Sequence, residues 1–89
     1  FLKVDEAARK RQVSVAPHSP YFGPGLLATA QLISAMTGDI PIERFYMEPQ
    51  ASLYGAAIDP VDGEFRVPEG PGLGLDPDPD VIREYRIND

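Results

Sequence analysis

The chain has 89 residues, 43% of them hydrophobic, and a formal net charge of −6 from eight Lys and Arg against fourteen Asp and Glu. That length holds one small domain at most, and the acidic balance argues against a nucleic-acid surface, which needs clustered cations. The absence of cysteine excludes disulfides, thiolate metal sites and cysteine nucleophiles, and fits a reducing compartment.

The first residues lack the apolar core of a secretory signal. No apolar run reaches the roughly 18 residues that span a bilayer. The expectation is a cytoplasmic protein with no membrane and no nucleic-acid partner. Ten prolines and eight glycines bring the chain close to the level of low-complexity sequences.

Residues 2–11 are predicted as a helix, with Val4, Ala7, Ala8 and Arg11 on one face. Asp5 with Arg9 and Glu6 with Lys10 are acid-before-base pairs four apart, each worth a few tenths of a kcal/mol. The cations Arg9, Lys10 and Arg11 then complement the helix dipole. Val13 and Val15 alternate with Ser14 in a strand predicted over 12–16, which Pro17 ends. His18 to Gly25 is a loop, since its prolines and glycines forbid regular structure.

Residues 26–36 are predicted as a helix with Gly38 beyond its end. Leu26, Ala30, Ile33 and Met36 form one stripe, while Leu27, Ala28, Leu32 and Ala35 fill most of the remaining circumference. A helix apolar nearly all round is buried on several sides, and so short a chain has little material to wrap it. Residues 41–46 are predicted as a second strand. Ala56–Ile58 and Glu64–Val67 flank Asp62-Gly63, a hairpin signal. Asp78 is placed as N-cap of a terminal helix with Pro79 at its first position, and Val81, Ile82 and Tyr85 are expected to face inward.

Strand, helix and strand in that order read as a right-handed parallel crossover. Parallel strands need both faces covered, so this fold is expected to continue in further elements.

His18, the single histidine, lies in a stretch from Gln12 to Gly38 without a formal charge. It follows a predicted strand, where parallel α/β folds carry their chemistry. Glu43 lies in the next predicted strand, so the two are expected to flank one cavity. A neutral imidazole can take up and return a proton. A carboxylic acid kept protonated in a dry site can donate to a developing oxyanion. The pair suits proton abstraction from a carbon next to a carboxylate. The residues alone leave open a loop-capping histidine and an exposed Glu43–Arg44 ion pair. Ser19, Tyr21 and Phe22 are candidate substrate-binding residues, with the aromatic pair either a lid or ordinary packing. Ser19 and Ser34 lack the context of a nucleophile elbow. Asp76, Asp78 and Asp80 echo a calcium loop but lack its glycine and terminal glutamate.

Three stretches carry a resemblance: Val15-Ala-Pro-His-Ser-Pro-Tyr-Phe-Gly-Pro-Gly-Leu-Leu-Ala-Thr-Ala30, Ile42-Glu-Arg-Phe-Tyr46 and Val67-Pro-Glu-Gly-Pro-Gly-Leu-Gly-Leu-Asp76. Together they resemble the C-terminal part of the mandelate racemase/muconate lactonizing enzyme family, within the enolase superfamily. The resemblance implies an α/β fold: the C-terminal portion of a modified TIM-like (β/α)7β barrel, with a tail returning to an α+β capping domain. Residues 1–58 would hold the last βα units. Residues 59–89 would be the tail, with its hairpin and short helix. His18 matches the family's general base or acid. Glu43 matches the glutamate that hydrogen-bonds the substrate carboxylate.

The same resemblance implies Mg²⁺, with ligands on strands outside this segment and none within it. It also implies a small carboxylate substrate, with the rest of the barrel and cap as partners, and a homo-oligomer is expected. The expected activity is that of a Mg²⁺-dependent acid-sugar dehydratase. A racemase or epimerase is the alternative within the family, and a non-catalytic remnant or binding module the alternative outside it. The segment alone is expected to be inactive.

Overall fold

Prolines, glycines and capping side chains decide where this chain's helices begin and end. A computed structural model describes residues 1–88. Helix α1 covers Leu2–Arg9, α2 covers Pro24–Ser34 and α3 covers Pro79–Tyr85, with a 3₁₀ turn at Gly55–Ile58.

Both predicted ion pairs form on α1, Asp5 with Arg9 at 2.7 Å and Glu6 with Lys10 at 2.8 Å. The helix closes earlier than the predicted residue 11. Gln12 turns left-handed at φ 57°. Its N–H donates to Arg9 O and that of Val13 to Ala8 O, the two bonds that seal a helix C-terminus. The expected apolar face is not buried. Val4 is 62% exposed, and Asp5, held by Arg9, is the buried residue of this helix.

Helix α2 starts at Pro24, whose missing N–H costs nothing in a first turn. Its polar side chains satisfy themselves on the helix: Thr29 Oγ1 donates to Gly25 O and Ser34 Oγ to Gln31 O. Leu26, Leu27 and Ala30 are fully buried. Leu26 and Leu27 cluster with Ile58, and Phe22, Ile42, Tyr54, Phe65 and Leu75 pack around them. Each such aliphatic side chain, fully buried, contributes about 1.5–3 kcal/mol. Leu32, on the far side of the helix, is 39% exposed.

Among the described residues no two helices pack along a shared face. The radius of gyration is 14.9 Å, against about 12 Å for a self-contained domain of this length. The exposed surface is 7041 Å², against about 5,100 Å² for a folded monomer of this mass. The chain is an open layer with a single small core.

Neither predicted strand forms a ladder. Residues 12–17 and 41–46 carry no regular hydrogen bonding. Burial still alternates along the first of them: Val15 is half-buried, Pro17 and Ser19 are buried, and Ser14, Ala16 and His18 are exposed. The period of two survives in packing but not in pairing. Pro17, Pro20 and Pro41 withhold backbone donors, and parallel strands depend on neighbours along both edges.

The hairpin expectation is half met. Asp62 and Gly63, at φ 51° and 77°, make the two-residue turn. Val61 and Glu64 exchange two 2.9 Å backbone bonds. Ala56–Ile58, however, is a 3₁₀ turn that tucks Ile58 into the core.

Helix α3 begins as predicted. Asp78 Oδ1 accepts from the N–H groups of Asp80 and Val81, and Pro79 takes the first position. Of its three apolar side chains expected inward, Val81 is half-buried, while Ile82 and Tyr85 are 44% and 47% exposed. With Leu53 they line a surface groove of about 520 Å³.

The tail is tied back in two places. Gln31 Nε2 donates to Pro68 O at 2.9 Å and Leu73 O at 3.4 Å. Asp78 N–H donates to Leu53 O at 2.7 Å. Between them the chain folds on itself so tightly that a Cβ on Gly74, at φ +95°, would meet Pro68 O at 2.7 Å.

Gly74→Ala is expected to cost about 1–3 kcal/mol, read as a lower urea midpoint for the protein carrying this chain. Gln12→Gly is expected to raise the same midpoint by up to about 1 kcal/mol, because glycine meets the left-handed conformation without a Cβ penalty.

Candidate active site

The loop that leads into α2 and the segment 40–45 meet through side chains. Ser19 is completely buried. Its N–H donates to Glu43 Oε2 at 3.1 Å. Its Oγ accepts from Glu43 N–H at 3.3 Å and donates to Pro17 O at 3.3 Å. Residues 24 apart in sequence are thus bonded in both directions. His18 Nδ1 reaches the same oxygen, Glu43 Oε2, at 2.9 Å. The two candidate catalytic residues therefore touch.

Glu43 Oε2 meets both the Ser19 N–H and His18 Nδ1, and Oε1 has no hydrogen-bond partner among the described residues. A neutral ring that turns Nδ1 toward a carboxylate favours the tautomer with its proton there and its lone pair on Nε2.

The site is open. The His18 side chain is 77% exposed and that of Glu43 39%. Among the described residues, His18 lines none of the main cavities, in contrast to the expected cavity between the pair. Glu43 instead lines a cavity of about 200 Å³ with Leu26, Ile42 and Phe65. A larger groove of about 760 Å³ lies elsewhere, between the end of α2 and the turn at Gly63.

The aromatic pair divides. Tyr21 is half-exposed, with its ring against the first turn of α2 at Gly25. Phe22 packs on the Leu26–Leu27–Ile58 core and carries the Arg44 guanidinium 4.5 Å above its ring. Arg44 pairs not with Glu43 but with Asp59, Nη2 to Oδ1 at 2.8 Å. Its Nη1 is buried without a partner. The Ser19 bridge and the Asp59 partner have no sequence signature, since both join positions far apart in the chain.

Among the described residues no three His, Cys, Asp or Glu side chains gather as metal ligands. Nor is any described helix long and apolar enough to cross a membrane.

Comparison with known proteins fits this geometry into a family. Residues 1–81 match the family model described as "Enolase C-terminal domain-like". The chain is similar to the D-galactarolactone cycloisomerase of Agrobacterium fabrum (strain C58 / ATCC 33970), 28% identical over 98 aligned positions. The alignment covers 98% of this chain and 26% of that protein, so the chain spans about a quarter of the length of this curated relative. No solved structure matches the chain. The chain belongs to the enolase C-terminal domain-like family.

Arg44→Ala is expected to destabilise the protein by about 1–2 kcal/mol, because the guanidinium over Phe22 and the apolar stem behind it are lost together. Arg44→Met, which keeps the stem and removes the unpartnered donor, is expected to cost less. Paired urea titrations of the two variants check the order.

Proposed function

We propose that the protein carrying this enolase-family segment removes the proton next to a carboxylate of a sugar acid or its lactone, with His18 as the base. The observation that carries this reading is the 2.9 Å contact between His18 Nδ1 and Glu43 Oε2. It supports an imidazole held through Nδ1, on a side chain that is 77% exposed, with Nε2 left to take the proton.

The chemistry proceeds from that atom. Nε2 takes the α-proton, and the C–H electron pair moves into the carboxylate to give an enediolate. The carbon acid is weak, so the enediolate forms only where hydrogen bonds and cationic charge meet it as it develops. Glu43 Oε1, when protonated, donates to one of its oxygens. The return of the electron pair then expels a β-substituent. If that substituent leaves as hydroxide, protonated by His18 Nε2, the product is that of a dehydration. If it is the ring carboxylate of a lactone, the ring opens instead.

The acid-sugar dehydratase reading rests on the resemblance of the His18 loop and the Glu43 segment to the mandelate racemase-like subgroup. The lactone reading is favoured by the similarity to a D-galactarolactone cycloisomerase. Both share the first step and differ only in the leaving group. Mg²⁺ belongs to this reading as an ion held by residues outside the segment. So do the remaining barrel strands and cap, which supply the walls His18 lacks here. The segment alone is inactive on this reading.

The test is the full-length protein with Mg²⁺ in D₂O, offered a panel of hexaric acids and their lactones and followed by proton NMR. The expected result is loss of the α-proton signal together with a 2-keto-3-deoxy product. His18→Asn is expected to slow both by about 10²- to 10⁴-fold. Exchange with inversion and no elimination identifies a racemase or epimerase instead. A panel without exchange, or undiminished turnover by His18→Asn, overturns the proposal.

A further inference from the structure

The Ser19–Glu43 bridge is unlike the rest of the contacts between the two loops. Elsewhere the segments 12–17 and 41–46 have no backbone ladder to fix their register. At this one place, three hydrogen bonds and the His18 contact meet around a side chain with no solvent exposure. The Ser19 hydroxyl is both donor and acceptor there, joining Pro17 O to Glu43 N–H. It therefore fixes the backbone on either side of His18 against the backbone of Glu43. The Ser19 N–H fixes the carboxylate itself by holding Oε2.

We propose that Ser19 is a positioning residue, which acts on the reaction through Glu43 and His18 and touches no substrate. Its hydroxyl sets the distance between the two loops, and its amide holds Oε2 where the His18 Nδ1 proton can reach it. On this proposal Ser19, which is fully buried, takes a role behind the substrate-binding one expected from the sequence. The inference rests on the reading of His18 as the base.

The consequence is specific. Without the hydroxyl, Glu43 N–H and Pro17 O lose their shared partner and the two loops slide. The imidazole then loses its fixed tautomer, so proton transfer slows, while the groups that bind the substrate elsewhere are untouched. A displacement of about 1 Å in such a pair slows turnover on the order of 10²-fold.

The experiment uses the full-length protein with Mg²⁺ and the substrate found in the panel above. Ser19→Ala is expected to lower kcat on the order of 10- to 100-fold, with KM nearly unchanged. Exchange of the α-proton with D₂O should fall by the same factor. Ser19→Thr, which keeps a hydroxyl, should recover part of the rate. If Ser19→Ala folds poorly, Ser19→Cys carries the test, since it keeps the volume with a much weaker hydrogen-bonding group. Wild-type kcat in the Ala or Cys variant overturns the inference, as does a rate loss that follows KM or the unfolded fraction alone. His18→Asn runs beside them. If that variant retains turnover, the reading of His18 fails. If it is inactive while Ser19→Ala behaves as wild type, only the role of Ser19 fails.

Discussion

Burial of Leu26 and Leu27 against Ile58 is the contact on which the rest of this chain depends. It anchors the first turn of α2, and that turn is where the loop from His18 to Gly25 ends. It draws in Phe22 from the loop, Ile42 from the segment carrying Glu43, and Phe65 and Leu75 from the tail. Three stretches remote in sequence are thus held around one half of one helix. Hydrogen bonds then choose the details within that frame. Ser19 selects how the loop meets Glu43, and Gln31 selects how the tail meets α2. Apolar burial is non-directional, so it gathers these stretches without orienting them. The polar contacts do the orienting.

What the sequence conveyed well was local chemistry. Asp78 with Pro79 reads as a helix start because both residues act within one turn, and the cap forms as expected. Asp62-Gly63 reads as a turn because the two backbone conformations are dictated by those residue types. The pairs on α1 form because spacing of four is geometry the helix itself supplies. The expected strands fared differently. Val13 and Val15 carry the period of two, and burial obeys it from Val15 through Pro17 to Ser19 though not at Val13, which is 57% exposed, yet no ladder follows. A ladder is a property of the neighbour as much as of the strand. The same reason explains Ile82 and Tyr85 of α3, which the pattern assigned to an interior and which lie at the surface.

The candidate site was legible in its members and not in its wiring. His18 and Glu43 stand out by residue type and by their place after apolar runs. That they share one carboxylate oxygen follows only from the fold. The Glu43–Arg44 adjacency left an ion pair between them open. Neighbours along an alternating chain face opposite sides. The structure follows that rule: Glu43 turns to His18, and Arg44 turns to Phe22 and Asp59. The family match over residues 1–81 agrees with the fold of the chain as an open layer, with more surface than a monomer of its mass.

The clamp that Gln31 places on the tail has a property the ion pairs of α1 lack. Its carboxamide is neutral, and so are the two carbonyls it holds, Pro68 O and Leu73 O. Mobile ions in the surrounding solution have no charge there to screen, whereas they weaken Asp5–Arg9 and Glu6–Lys10. The return of the tail to α2 is therefore indifferent to ionic strength, so a concentrated brine that loosens one end of the chain leaves the other fastened.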